Sequence, residues 1–163
     1  MSTSRLQLSM YVPPASACFI EHTRQQLDPV QHRLIPAHIT LCRESELAAI
    51  EDVKQRLRKL SFPPLTLQFG KAEAFFEHGW LLPCIAGQPM FRALREYLLA
   101  STAIHEQQAH ITLAHPRNPK SPSNCLANAT ALPERFELTF PTINLIRQEN
   151  AQPWQVLEHY SLT

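Results

Sequence analysis

The sequence predicts an α+β fold with largely antiparallel sheets flanked by helices, and a cleft with near two-fold internal symmetry. Three observations carry that prediction. Residues 5–12 and 65–69 alternate apolar and polar side chains with the period of a strand. Strands follow one another directly near residues 70, 79, 141 and 150, which antiparallel pairing allows and parallel crossovers do not. The tetrapeptide His-Ile-Thr-Leu occurs twice, at residues 38–41 and 110–113, each time after an alanine. The two histidines are 72 positions apart in a chain of 163.

The elements follow in order. Leu6, Leu8, Met10 and Val12 form one face of the first strand, which Pro13-Pro14 ends. Pro14 suits the start of a helix over 15–27, and Asp28-Pro29 stops it. A polar stretch with His32 and Arg33 leads to the first His-Ile-Thr-Leu strand. Ser45 is a candidate N-cap for a helix to residue 60, because Leu47, Ile50, Val53, Leu57 and Leu60 recur at spacings of three and four. Strands are expected at 65–69, 72–76 and 80–86, with Gly70 and Glu77-His78-Gly79 as turns. Gly87-Gln88-Pro89 opens a helix striped by Met90, Phe91, Leu94, Tyr97 and Leu98. The second motif strand precedes a loop at 116–123, a short helix within 122–132, and strands at 136–140, 142–147 and 154–160. Each half thus reads strand, helix, motif strand, helix, strand. No linker, low-complexity tract or charge run divides the chain, so residues 1–163 are expected to form one domain.

The composition narrows the function classes. A content of 44% hydrophobic and 18% charged residues is that of a globular protein and too apolar for disorder. A net charge of +1 gives no global field for nonspecific nucleic-acid binding, although 11 of the 15 basic residues are Arg, which favours bidentate phosphate and carboxylate contacts. Cys18, Cys42, Cys84 and Cys125 lie far apart without a C-x-x-C and read as buried, reduced thiols. No secretion signal or membrane span is evident, which leads to the expectation of a cytoplasmic protein.

The repeated tetrapeptide carries the chemistry. In a strand, His and Thr share one face while Ile and Leu plug the core behind them. A lone H-x-T says little; a second copy in the equivalent slot makes a cleft floor. Two facing imidazoles, one neutral and one protonated, can deprotonate a nucleophile and protonate a leaving group in a single displacement. A phosphodiester suits them, since attacking and leaving oxygens lie on opposite sides of phosphorus. Thr40 and Thr112 would hydrogen-bond its nonbridging oxygens. No metal or other cofactor is needed for this scheme, and the spacing of His110 and His115 does not match H-E-x-x-H. The absence of any H-x-H excludes the histidine-triad hydrolases.

The paired His-x-Thr-x motifs, their spacing and the strand-helix order resemble the 2H phosphoesterase superfamily, and within it the bacterial 2′-5′ RNA ligase-like group. The resemblance covers nearly the whole chain. It implies a bilobal, pseudo-symmetric fold with one motif per lobe, and metal-independent action on 2′,3′-cyclic phosphates, 2′-5′ linkages or related cyclic nucleotides. It assigns His38 and His110 as acid and base, and Thr40 and Thr112 as phosphate binders. Two positions correspond by symmetry five residues beyond each histidine, Arg43 and His115. Relatives often carry Arg or Tyr at the latter, so His115 departs from the pattern and Arg117 could supply the cation. Among Tyr11, Phe75, Phe76 and Trp80, Phe76 beside a turn is the candidate for base stacking. The other histidines, His22, His32, His78, His105 and His159, are expected on the surface. The expected activity is hydrolysis of 2′,3′-cyclic phosphates on RNA ends or small cyclic nucleotides, by a monomer. The competing readings are reversible 2′-5′ RNA ligation and a non-catalytic module that binds phosphorylated RNA ends.

Overall fold

The structure is a computed structural model and describes all of residues 1–163. In chain order it contains β1 (Ser4–Tyr11), α1 (Pro14–Leu27), α2 (Pro29–Leu34), β2 (His38–Cys42), a 3₁₀ turn (Glu44–Glu46), α3 (Ile50–Arg58) and β3 (Leu65–Phe69). There follow β4 (Glu73–Phe75), β5 (Gly79–Ala86), α4 (Gln88–Leu99), β6 (His110–Ala114), α5 (Leu126–Ala129), β7 (Phe136–Phe140), β8 (Thr142–Glu149) and β9 (Gln155–Ser161). No helix is long and apolar enough to cross a membrane.

All strand pairs are antiparallel, in the order β7-β3-β5-β6-β2-β1-β8-β9, with β4 also paired to β5. The order is symmetric about the β6/β2 junction: β2 answers to β6, β1 to β5, β8 to β3 and β9 to β7. The lobes are therefore not the two halves of the sequence. After each motif strand and its helix the chain crosses over, so that β3 joins β5 in one lobe and β8 joins β1 in the other.

Local chemistry accounts for most element boundaries. Pro14 opens α1 with its ring at the first helical position, where a missing N–H costs nothing. Gly87 has φ +98°, a left-handed backbone at the start of α4, and a Cβ there would stand 2.6 Å from the Thr66 carbonyl oxygen. The apolar faces of both motif strands close into one core: Ile39, Leu41, Ile111 and Leu113 are all fully buried, in one continuous cluster with Leu8, Met10, Phe69 and Phe91.

The structure departs from the sequence expectations in five places. The polar stretch after Asp28-Pro29 is the helix α2: Asp28 caps it, accepting from the Gln31 N–H at 2.9 Å, with Pro29 in the first turn. The helix expected from Ser45 starts only at Ile50, because the Glu46 carboxylate is held by Arg95 of α4 and by the Arg43 N–H, which keeps residues 44–46 in a separate turn. The helix expected within 122–132 is a single turn. Cys42 and Cys84 are buried, whereas Cys18 and Cys125 are exposed, and all four are free. His78 is half-buried and donates from Nε2 to the Asn118 carbonyl at 2.6 Å.

Candidate active site

β2 and β6 meet at a single register pair, Ile39 opposite Ile111. In an antiparallel pair this brings His38 across from Thr112 and His110 across from Thr40, all four on the face opposite the two isoleucines. Beyond that pair the strands have no further register partners. The four side chains line a cleft of about 360 Å³ between the lobes. Diagonal positions across such a pair lie about 7–8 Å apart, room for a phosphoryl group between the imidazoles.

Both histidines are tied back in the same way. His38 Nδ1 lies 2.8 Å from the Pro36 carbonyl oxygen, and His110 Nδ1 lies 2.9 Å from that of Gln108. A carbonyl only accepts, so each Nδ1 carries a proton and each neutral ring presents a bare Nε2. Burial pushes His38 down to about 4; the bond to Pro36 opposes this, while the charges of Arg24 and His110 add to it. His38 is therefore neutral at physiological pH, with a lone pair to offer.

The strands beneath are braced by side chains from the helix of the opposite half. Arg24 on α1 is 1% exposed and donates from Nε to the Thr112 carbonyl at 3.3 Å, from Nη2 to the Ile35 carbonyl at 2.9 Å, and from Nη1 to Glu21 at 2.6 Å. Arg95 on α4, also 1% exposed, donates to the Leu41 carbonyl and pairs with Glu46 at 2.8 Å. Gln107 Nε2 donates to the Thr40 carbonyl at 2.7 Å, which leaves its buried Oε1 without a partner. The alanines before the motifs are held alike, Ala37 N–H by Glu21 at 3.1 Å and Ala109 N–H by Gln88 at 2.9 Å. Gln7 of β1 reaches over the cleft floor, its Nε2 3.1 Å from Thr40 Oγ1.

Arg43, His115 and Arg117 all line the cleft, as the sequence predicts. His115 is not the cation that its position suggests. Its Nδ1 accepts from the Arg117 N–H at 3.3 Å, so the neutral ring carries its proton on Nε2 and presents a donor. Burial and then the charges of Arg117 and Arg5 push it down to about 4, with Asp28 opposing. The buried Asp28 carboxylate fixes this loop, accepting from the His115 N–H at 2.9 Å and from Asn118 Nδ2 at 2.7 Å.

Phe76 is corrected: it is 85% exposed, with φ +54°, on the turn after β4 and away from the cleft. The short β4–β5 turn carries the ring outward. Trp80 is likewise elsewhere, donating its indole N–H to Asn124 Oδ1 at 2.8 Å, and Tyr11 packs edge-on against His38 at 6.4 Å between centroids. The aromatic on the cleft is Trp154, with Arg5 Cζ 5.3 Å above its ring. Sequence reasoning missed Arg5, Gln7, Gln107 and Trp154. Of these only Arg5 and Gln7 had a local signal, as the polar face of an alternating strand. No group of three or more His, Cys, Asp or Glu side chains is arranged to hold a metal ion.

The model of the 2′-5′ RNA ligase superfamily matches residues 12–152. Among solved structures the chain is similar to E. coli LigT complexed with 3′-AMP, at 17% identity over 98% of each chain with a TM-score of 0.64. E. coli LigT complexed with NADP+ matches at 16% identity over 98% of each chain, also with a TM-score of 0.64. A phosphoesterase crystal structure matches at 14% identity over 99% of each chain, with a TM-score of 0.57. No curated protein matches the sequence. At such identities the solved structures speak for the fold, and the family match speaks for descent: the chain belongs to the 2′-5′ RNA ligase superfamily, the 2H phosphoesterases.

Proposed function

We propose that the protein is a metal-independent phosphodiesterase that opens 2′,3′-cyclic phosphates on RNA ends or small nucleotides. The observation that carries this reading is the matched pair of imidazoles, each locked by Nδ1 to the carbonyl two residues before it. The phosphoryl group sits between them, with Thr40 and Thr112 donating to its nonbridging oxygens and the neutral Nε2–H of His115 and the Arg43 guanidinium adding donors.

His38, neutral and with a bare Nε2, takes the proton of the attacking water as its oxygen bonds to phosphorus. The bond from phosphorus to one ribose oxygen breaks, and His110 delivers a proton from Nε2 to that oxygen. After turnover His38 holds the proton that His110 has lost, and exchange with solvent resets the pair. A proton on His110 disfavours a second one on His38, which keeps the base neutral beside the acid. Trp154 offers a base the ring face that Arg5 leaves free.

The test is turnover of 2′,3′-cyclic nucleotides in EDTA by wild type, His38→Ala and His110→Ala. Each variant should lose about 10²–10⁴-fold, the range for a positioned acid or base. Turnover that survives both substitutions would exclude the two-histidine mechanism. Ligation of 2′-5′ ends is the same displacement with a ribose hydroxyl in place of water, and it is scored in the same assay with RNA ends.

A further inference from the structure

The cleft carries more positive charge than one cyclic phosphate needs. Arg5, Arg43 and Arg117 line it, against a single carboxylate, Glu44, before either catalytic histidine is protonated. A cyclic phosphodiester brings one negative charge to this surface.

Two of these guanidinium groups, those of Arg5 and Arg117, share the cleft with His115. Arg5 stands over Trp154 at 5.3 Å, with Nη1 on Gln148 Oε1 at 3.3 Å and Nε 3.6 Å from the half-exposed Glu44 carboxylate. The ring and the amide orient the guanidinium, and the loose pairing with Glu44 leaves donors free. The Arg117 side chain has no ion pair and no hydrogen bond; only its backbone N–H is used. Arg5, His115 and Arg117 line one cleft of about 360 Å³, and the charge of Arg5 helps to hold both His115 and Arg117 below their ordinary ranges. Two like charges in one cleft repel, and an anion bound between them relieves that repulsion.

We propose that Arg5 and Arg117 form a second phosphate subsite beside His115, so that the preferred substrate is a cyclic phosphate bearing a further phosphoryl group. That group is either a 5′-phosphate on the same nucleotide or the adjoining phosphodiester of an RNA chain. The inference rests on the cyclic-phosphate reading above and adds to it a substrate class. A planar guanidinium can hold two phosphate oxygens at once, and a second one doubles that grip.

Binding, which needs no turnover, tests it apart from the catalytic reading. Adenosine 3′-monophosphate, adenosine 3′,5′-bisphosphate and a diadenylate ending in a 3′-phosphate would be titrated calorimetrically into wild type, Arg5→Gln and Arg117→Gln. Wild type should bind at least one of the two-phosphate ligands about tenfold or more tightly than the monophosphate. Each variant should bring that ratio towards one, with circular dichroism verifying the fold. A gain for the bisphosphate alone identifies a 5′-phosphate, a gain for the diadenylate alone identifies the adjoining phosphodiester, and a gain for both means that the subsite accepts either. Equal affinity for all three ligands in wild type, or a preference that survives both substitutions, overturns the subsite. A wild type that shows the preference but opens no cyclic phosphate would sink the catalytic reading instead.

Discussion

Ile39 of β2 stands opposite Ile111 of β6, and the cleft floor is arranged about that pair. The pair is the only register contact between the lobes' motif strands, so it serves as the pseudo-two-fold axis. On its far side the two isoleucines are fully buried; on its near side each histidine faces the other strand's threonine. The symmetry extends to the Nδ1 anchors and to the acceptors that hold Ala37 and Ala109. It breaks beneath the strands, where charged Arg24 braces Thr112 and neutral Gln107 braces Thr40. The charge of Arg24 adds to the burial that holds His38 low.

The assignment of His38 as base and His110 as acid predicts different responses to the leaving group. A p-nitrophenyl phosphodiester expels p-nitrophenolate, which departs as the anion without needing a proton. On that substrate His110→Ala should recover most of its loss, to within about tenfold of wild type, while His38→Ala stays down about 10²-fold or more. Steady-state kcat/KM for both variants on both substrate types decides it. The reverse pattern would exchange the roles.

The depressed histidines predict acid sensitivity. His38 and His115 sit at about 4 in the fold, against 6.5 for a free imidazole. The fold favours their neutral forms, so their contribution to stability is complete above about pH 6.5 and is lost as pH falls towards 4, where the unfolded chain binds protons that the native state refuses. The urea midpoint should therefore fall between about pH 7.5 and 5, and His115→Gln should reduce that fall. An unchanged pH dependence in the variant would show that His115 is not one of the groups responsible.

Arg24 should matter more for stability than any arginine in the cleft. Arg24→Met removes the donor to two backbone carbonyls and leaves the Glu21 carboxylate without its guanidinium partner, in a place where the side chain is 1% exposed. The expected cost is on the order of 3 kcal/mol by urea unfolding, compared with about 0.5 kcal/mol or less for Arg117→Met at the cleft surface.

Trp154, in place of Phe76, should govern affinity for the base. Stacking contributes roughly 1–3 kcal/mol per base, so Trp154→Ala should raise KM by about five- to a hundredfold, with less effect on kcat. Phe76→Ala, on an exposed turn outside the cleft, should change KM by less than about twofold. Parallel kinetics on one cyclic nucleotide separates the two.

The fold class and the gathering of His38, Thr40, His110 and Thr112 on one cleft floor were legible in the sequence because their signals are local. Alternation with period two tells which face of residues 38–41 and 110–113 is buried, and the structure buries Ile39, Leu41, Ile111 and Leu113 completely. Proximity in sequence also carried Arg43, His115 and Arg117 to the cleft, since each follows its motif strand by a few residues. The same local reading erred at Asp28-Pro29, where a helix start looks like a helix stop, and at Ser45, where Arg95 from a distant helix claims the next carboxylate.

The sequence by itself thus determined the two motif strands, their polar faces and the residues that perform the proposed chemistry. Tertiary structure decided which partners those residues have. Arg24 reaches Thr112 across 88 positions and Gln107 reaches Thr40 across 67, contacts that no periodicity encodes. The exchange of β3 and β8 between lobes, the arrival of Arg5 and Trp154 at the cleft and the exclusion of Phe76 from it depend on strand register. Register is set by how all the apolar faces close into one core at once, which is why it belongs to the fold as a whole and to no single stretch of chain.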